Sequence, residues 1–222
     1  MTPASRRVFP DTVLASSLVF RAAATQSPAL AIEIGTGLST RDIAHAQRHP
    51  DMRWVDYDLP HMVRARRRML AGHELPRNYT LATGDLLARG LGPTPTAGGD
   101  GPVIAMTEGV TDYLDRREKQ RAWQHIAAQL TRLGGGRYLL EVHPRDRVAH
   151  FGPAAAILLD ALRRISARDL LGQLCASADE AIDLLINSGF AHARVLPEAE
   201  LSDADRAPPP KYRPFSLTEA KT

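Results

Sequence analysis

The stretch Ala31-Ile-Glu-Ile-Gly-Thr-Gly-Leu-Ser39 decides how the chain is read: an apolar, strand-forming run ends in an acidic residue and opens into a tight glycine turn. Such a turn brings bare backbone close to a ligand. Twenty-one residues after Gly37, a second apolar run, Trp54-Val-Asp-Tyr-Asp58, ends in a carboxylate suited to accept hydrogen bonds from a ribose diol. Together the two runs point to a ligand that contains a nucleoside.

Working outward from the turn, strands are expected at 30–34, 53–57, 79–83, 103–107, 137–142, 191–196 and 215–220. Helices are expected at 40–48, 60–70, 116–133 and 177–187, with a helical lead-in at 12–25 and another helix near 153–165. Pro60 fits a first helical turn, where no backbone N–H is needed. Trp123, Ile126, Ala127, Leu130 and Leu133 recur at helical spacing and should face a sheet. Gly134-Gly-Gly136 ends that helix, and Gly189 ends the one before strand six. Strands alternating with helices imply an α/β fold, a three-layer sandwich around a mainly parallel, seven-stranded sheet. One domain is expected over residues 1–222, with a short lead-in at 1–29 and an insertion at about 143–175; 90–101 reads as a surface loop.

The composition narrows the function classes. A chain of 222 residues, 44% hydrophobic, has enough apolar side chains for one good core. A formal net charge of +3, with arginines spread along the chain, does not argue for nucleic acid. The Arg64, Arg66, Arg67 and Arg68 cluster reads as a solvated helix face, the alternative being contact with an acidic partner. The one cysteine, Cys175, excludes an intrachain disulfide and a cysteine-built zinc site and reads as a core residue. Apolar residues after Arg6 and Arg7 are interrupted by Asp11 and Arg21, so neither a targeting peptide nor a membrane span is expected, and a cytoplasmic location fits. No paired short spacing of His and acidic residues marks a metal site.

A dinucleotide site carries a third glycine three residues beyond the second, and here that position is Thr40. The order Glu33, Gly35, Gly37, Ser39 instead matches the S-adenosylmethionine (SAM) pattern, although the glycines also suit a purely structural strand-to-helix turn. Three further segments sharpen the choice: Trp54-Val-Asp-Tyr-Asp-Leu-Pro60, Gly84-Asp85-Leu86, and Met106-Thr-Glu-Gly-Val-Thr-Asp-Tyr-Leu114. With the glycine turn they resemble, in order and spacing, the leucine carboxyl methyltransferases and bacterial polyketide O-methyltransferases, a class I, Rossmann-like SAM-dependent family. The resemblance covers residues 30–142 well and the C-terminal third loosely.

That resemblance implies a role for each matched residue. The Gly35-Thr36-Gly37 backbone should pass under the methionine portion of SAM, with Asp58, followed by Leu59, taking the ribose hydroxyls; Asp56 is the rival acid. After Gly84, Asp85 should accept the adenine amine and Leu86 pack on the ring. Glu108 should lie near the ligand ammonium, its alternative being an exposed loop carboxylate. Arg41 should pair with the methionine carboxylate or brace Glu33. Arg21 corresponds to an arginine in the family's N-terminal helices, and Tyr113 is matched but equally suits the core.

Methyl transfer from a sulfonium is an in-line displacement in which alignment and desolvation supply most of the effect. A carboxylate acceptor needs no base, whereas a phenol or alcohol gains from a histidine; His143 and His150 are the candidates, each otherwise a structural hydrogen-bonder. The expected partner is a small-molecule or carrier-bound, polyketide-like acceptor, with S-adenosylhomocysteine (SAH) as product. The short segment before strand one leaves room for a partner subunit or a homodimer to complete the pocket. The rival functions are an NAD(P)-dependent oxidoreductase, disfavoured by Thr40 and the lack of a Tyr-x-x-x-Lys pair, and a non-catalytic SAM-binding member of a biosynthetic complex.

Overall fold

In the computed structural model, which describes residues 28–92, 101–148, 170–197 and 216–222, the opening apolar run forms β1 (Leu30–Ile34), buried along its length. The chain continues through α1 (Arg41–Arg48), β2 (Arg53–Asp58), α2 (Pro60–Met69), β3 (Tyr79–Thr83) and β4 (Val103–Thr107). A 3-10 turn (Thr111–Tyr113) leads to α3 (Arg116–Arg132), β5 (Arg137–Val142), α4 (Arg145–Val148), α5 (Leu170–Gln173), α6 (Ala178–Ile186), β6 (His192–Val195) and β7 (Ser216–Lys221). Pro60 occupies the first turn of α2. Asp115 starts α3 through a reciprocal cap: its carboxylate accepts the Glu118 N–H at 2.8 Å, while Glu118 accepts the Asp115 N–H at 2.9 Å. The expected helices at 12–25 and 153–165, and His150, lie outside the described residues.

Seven strands form one sheet in the order β3-β2-β1-β4-β5-β7-β6. The mainly parallel sheet expected from the sequence gives way to a mixed one: β1 to β5 pair in parallel, but β7 runs antiparallel to both β5 and β6. Strand–helix alternation implies parallel neighbours only where a helical crossover joins consecutive strands. Here β7 inserts between β5 and β6, so its pairing with β5 joins strands that are not consecutive and the alternation does not set its direction. Because β1 neighbours both β2 and β4, strand order reverses there, leaving a crevice at the carboxyl ends of the strands.

Helices pack on both faces of the sheet. Trp123, Ile126, Ala127 and Leu130 of α3, with Leu184 and Leu185 of α6, meet Leu30, Ile32, Val55 and Tyr138 in the larger core cluster. Ile43 and Ala46 of α1 join Ala31, Trp54, Ile104 and Leu139 on the other side. Each large side chain so buried contributes about 1.5–3 kcal/mol. Cys175 is buried, as expected.

Arg66 departs from the expected solvated face. Arg64, Arg67 and Arg68 are exposed, but Arg66 is wholly buried, one turn from Val63 and Leu70 on the inward stripe of α2. Its guanidinium ion-pairs with Asp42 of α1, meets Asp56 of β2 at 2.8 Å, and donates to the Thr36 hydroxyl in the glycine turn. Asp56 also accepts the Tyr79 hydroxyl proton at 2.7 Å. Five successive segments thus converge on one cation. Replacing it as Arg66→Met leaves two carboxylates buried without their partner and should cost about 3–5 kcal/mol in denaturant unfolding. A variant within about 0.5 kcal/mol of wild type would contradict that role.

Candidate active site at the carboxyl ends of β1 to β5

The glycine turn is held in a fixed shape. Gly35 and Gly37 have φ of 76° and 59°, left-handed values that side-chain-bearing residues rarely adopt. A Cβ at Gly35 would also stand 2.4 Å from Val110 Cγ2, whereas one at Gly37 would meet nothing within 4 Å. Asp58, at the end of β2, accepts the Gly37 N–H on Oδ2 and the Leu59 N–H on Oδ1, both at 2.7 Å. Each oxygen keeps further lone-pair capacity for a hydroxyl donor.

Beside this turn lies a cavity of about 420 Å³ with mostly apolar walls. It is lined by Ile34 and Gly35 at the end of β1, Tyr57 to Leu59 at the end of β2, Gly84 to Leu87 after β3, and Gly109, Val110, Tyr113 and Leu114 after β4. Its size falls within the range of small-molecule and cofactor sites. Asp85 Oδ1 accepts the N–H groups of Leu87 at 2.9 Å and Ala88 at 3.2 Å, tying the β3 loop to itself. The cavity thus brings together Gly35, Asp58, Leu59, Gly84, Asp85, Leu86 and Tyr113 among the residues singled out in the sequence. It adds Leu87, which lies outside the motifs, and Val110 and Leu114, which belong to the motif at 106–114 but were given no role.

Other expected ligand contacts are turned elsewhere. Thr36 is buried with its hydroxyl on Arg66, and Asp56 is held by Arg66 and Tyr79, which removes it as a rival to Asp58. Arg41 takes its bracing role, 2.5 Å from both Glu33 and Glu108. Glu108 is therefore an ion-paired carboxylate, not a bare loop acid. Glu33 is 1% exposed, and its second oxygen, Oε2, has no hydrogen-bond partner, as suits a carboxylate still able to accept from a ligand cation. Burial pushes the Glu33 carboxyl up to about 7, although the Arg41 guanidinium pulls it down. Arg21 lies outside the described residues.

His143, just past β5, places Nδ1 2.5 Å from Asp112 Oδ2 on the 3-10 turn that also carries cavity-lining Tyr113. Burial lowers the imidazole pKa, but the Asp112 hydrogen bond and charge, with the Glu141 charge, outweigh it and leave His143 above the ordinary histidine value. Glu141 accepts the Gly109 N–H at 2.7 Å, and burial raises its carboxyl against the pull of His143. The Asp112–His143 contact spans 31 residues, a separation that carries no periodic signal. Among the described residues no group of His, Cys, Asp and Glu is placed to hold a metal, and no helix is long and apolar enough to cross a membrane.

Similar solved structures share this arrangement of strands and helices. PigF with SAH superposes with a TM-score of 0.60 at 18% identity, over 88% of this chain and 51% of that one. The mitomycin 7-O-methyltransferase MmcR gives 0.59 at 20% identity, over 91% and 53%. Human N-acetylserotonin methyltransferase in complex with SAM gives 0.58 at 14% identity, over 92% and 50%. The fold is that of the SAM-dependent O-methyltransferases. The chain spans about half the length of these structures. No family model matches the sequence and no curated protein does, so the family resemblance rests on the linked motifs.

Glu33 gives the methyltransferase fold a pH signature. Between pH 4.5 and about 7 the folded protein retains a proton that the unfolded chain has released, so this group lowers stability as pH rises through that window. Stability measured for wild type minus Glu33→Gln should fall across the window and level off above it. A difference that stays flat would contradict the burial of an ionisable group there.

Proposed function

We propose that the protein transfers a methyl group from SAM to a hydroxyl oxygen of a small or carrier-bound acceptor. The observation that carries the cofactor reading is the glycine turn pinned to Asp58 beside the cavity. In this reading Gly35 and Gly37 present backbone to the methionine portion, Asp58 takes the ribose hydroxyls, and Asp85 and Leu86 hold the adenine. When bound, SAM supplies a sulfonium methyl group open to in-line attack.

Among the described residues, Glu108, Asp112 and Glu141 gather near the carboxyl ends of β4 and β5, with Arg41 and His143 set against them, so we read the acceptor side as acidic. A carboxylate acceptor would be repelled there, while a neutral hydroxyl would not. A hydroxyl also needs what His143 offers. As the acceptor oxygen attacks the methyl carbon, the imidazole takes the hydroxyl proton, and Asp112 orients the ring and stabilises its cation. In the same displacement the methyl carbon–sulfur bond would break to leave SAH, and His143 would then return its proton to water.

The pH dependence tests this assignment. Asp112 raises the His143 pKa, so Asp112→Asn should move the acid limb of the rate profile to lower pH and reduce the maximal rate about 10- to 100-fold. Methyl transfer to a panel of phenols and alcohols, matched against their carboxylate counterparts, provides the readout. Turnover of carboxylates alone, or an acid limb unmoved by Asp112→Asn, would overturn the hydroxyl reading.

A further inference from the structure

The cavity-facing loop after β3 is closed by its own hydrogen bonds and joined to β2 at its start, where the Gly84 N–H donates to the Asp58 carbonyl at 3.0 Å. The Asp85 carbonyl accepts the N–H groups of Ala88, Arg89 and Gly90, the Asp85 N–H donates to the Gly90 carbonyl, and the Asp85 carboxylate accepts from Leu87 and Ala88. These bonds leave the Leu86 and Leu87 carbonyls pointing away from the closed turn. Both find partners on α3: His125 Nδ1 stands 2.6 Å from the partly buried Leu86 oxygen, and Arg121 Nη1 donates to the exposed Leu87 oxygen at 3.4 Å. Arg121 and His125 are four residues apart, hence on one helix face.

The same imidazole also lies near the end of the loop. Gly90 has φ of 75°, and a Cβ added there would stand 3.4 Å from His125 Cγ and 3.5 Å from its Cβ. His125 therefore holds the loop at Leu86 and lies beside it at Gly90. The Leu86 peptide is the link that matters: its carbonyl faces α3, while its side chain, 8% exposed, lines the cavity beside Asp85. Rotating that peptide would move the leucine side chain and shift the neighbouring carboxylate.

We propose that His125, outside the cavity, is a positioning residue that sets both the affinity for adenosine-containing ligands and the discrimination in favour of adenine. The proposal rests on the SAM reading above. Nδ1 donates its proton to Leu86, so a neutral His125 is held as the Nδ1–H tautomer. The ring thereby keeps Asp85 aligned to accept an exocyclic amine and to reject a carbonyl at the same position. Arg121, with a longer bond from an exposed side chain, acts as a secondary clamp.

The test compares the binding of SAH and of S-inosylhomocysteine, in which the adenine amine is replaced by a carbonyl, to wild type, His125→Ala and His125→Asn. Wild type should prefer SAH. His125→Ala should weaken SAH about 3- to 10-fold, the scale of one hydrogen bond, and shrink its preference over the inosyl analogue. His125→Asn keeps an N–H donor near the Nδ1 position and should recover most of both. A wild-type protein that binds neither ligand would overturn the SAM reading itself. Normal SAH binding by wild type with an unchanged SAH-to-inosyl ratio in His125→Ala, or no recovery in His125→Asn beyond its melting temperature, would overturn the role of His125 alone.

Discussion

The buried ion pair of Arg66 with Asp42 and Asp56 is the constraint on which the half of the molecule around the glycine turn depends. Taking a guanidinium and two carboxylates out of water costs several kcal/mol per ion, and only close pairing and hydrogen bonding offset it. The geometry that provides this offset also fixes the site. Through Thr36, Arg66 holds the glycine turn from one side, and Asp58 holds it from the other through the Gly37 N–H. A turn fixed from two sides before any ligand arrives loses less conformational freedom on binding, which is the benefit of a preorganised site.

The second organising element is Arg41, which links the acid at the end of β1 to the acid after β4. This brace joins the strands on either side of the point where sheet order reverses, so the crevice has a charged crosspiece as well as apolar walls. On the far side, Asp112 and His143 join the turn after β4 to the end of β5. The site is thus crossed by side-chain pairs from neighbouring strands, with the cavity between them. Its charge pattern and its backbone turns together limit what can enter the cavity.

Most of the cavity wall was legible in the sequence because it consists of strand ends followed by glycine turns. Gly35, Asp58, Asp85 and Leu86 all line it, as their positions after apolar runs implied. Arg66 was not legible, because four clustered arginines resemble a solvated face; only the i, i+3, i+7 spacing of Val63, Arg66 and Leu70 marked it as inward. The Asp112–His143 pair and the His125 clamp are contacts between distant segments, for which spacing carries no signal. The direction of β7 was hidden for a related reason: a lone apolar run carries no mark of which neighbours it will join, or in which sense.

The central claim is that the turn pinned by Asp58 seats the nucleoside of SAM. Titration calorimetry with SAH, on wild type and on Asp58→Ala, addresses it most directly. Saturable binding by wild type, weakened by about 1–3 kcal/mol in a variant that remains folded, is the expected result. No detectable binding by the folded wild-type protein at millimolar SAH, or equal affinity in the two proteins, would contradict it.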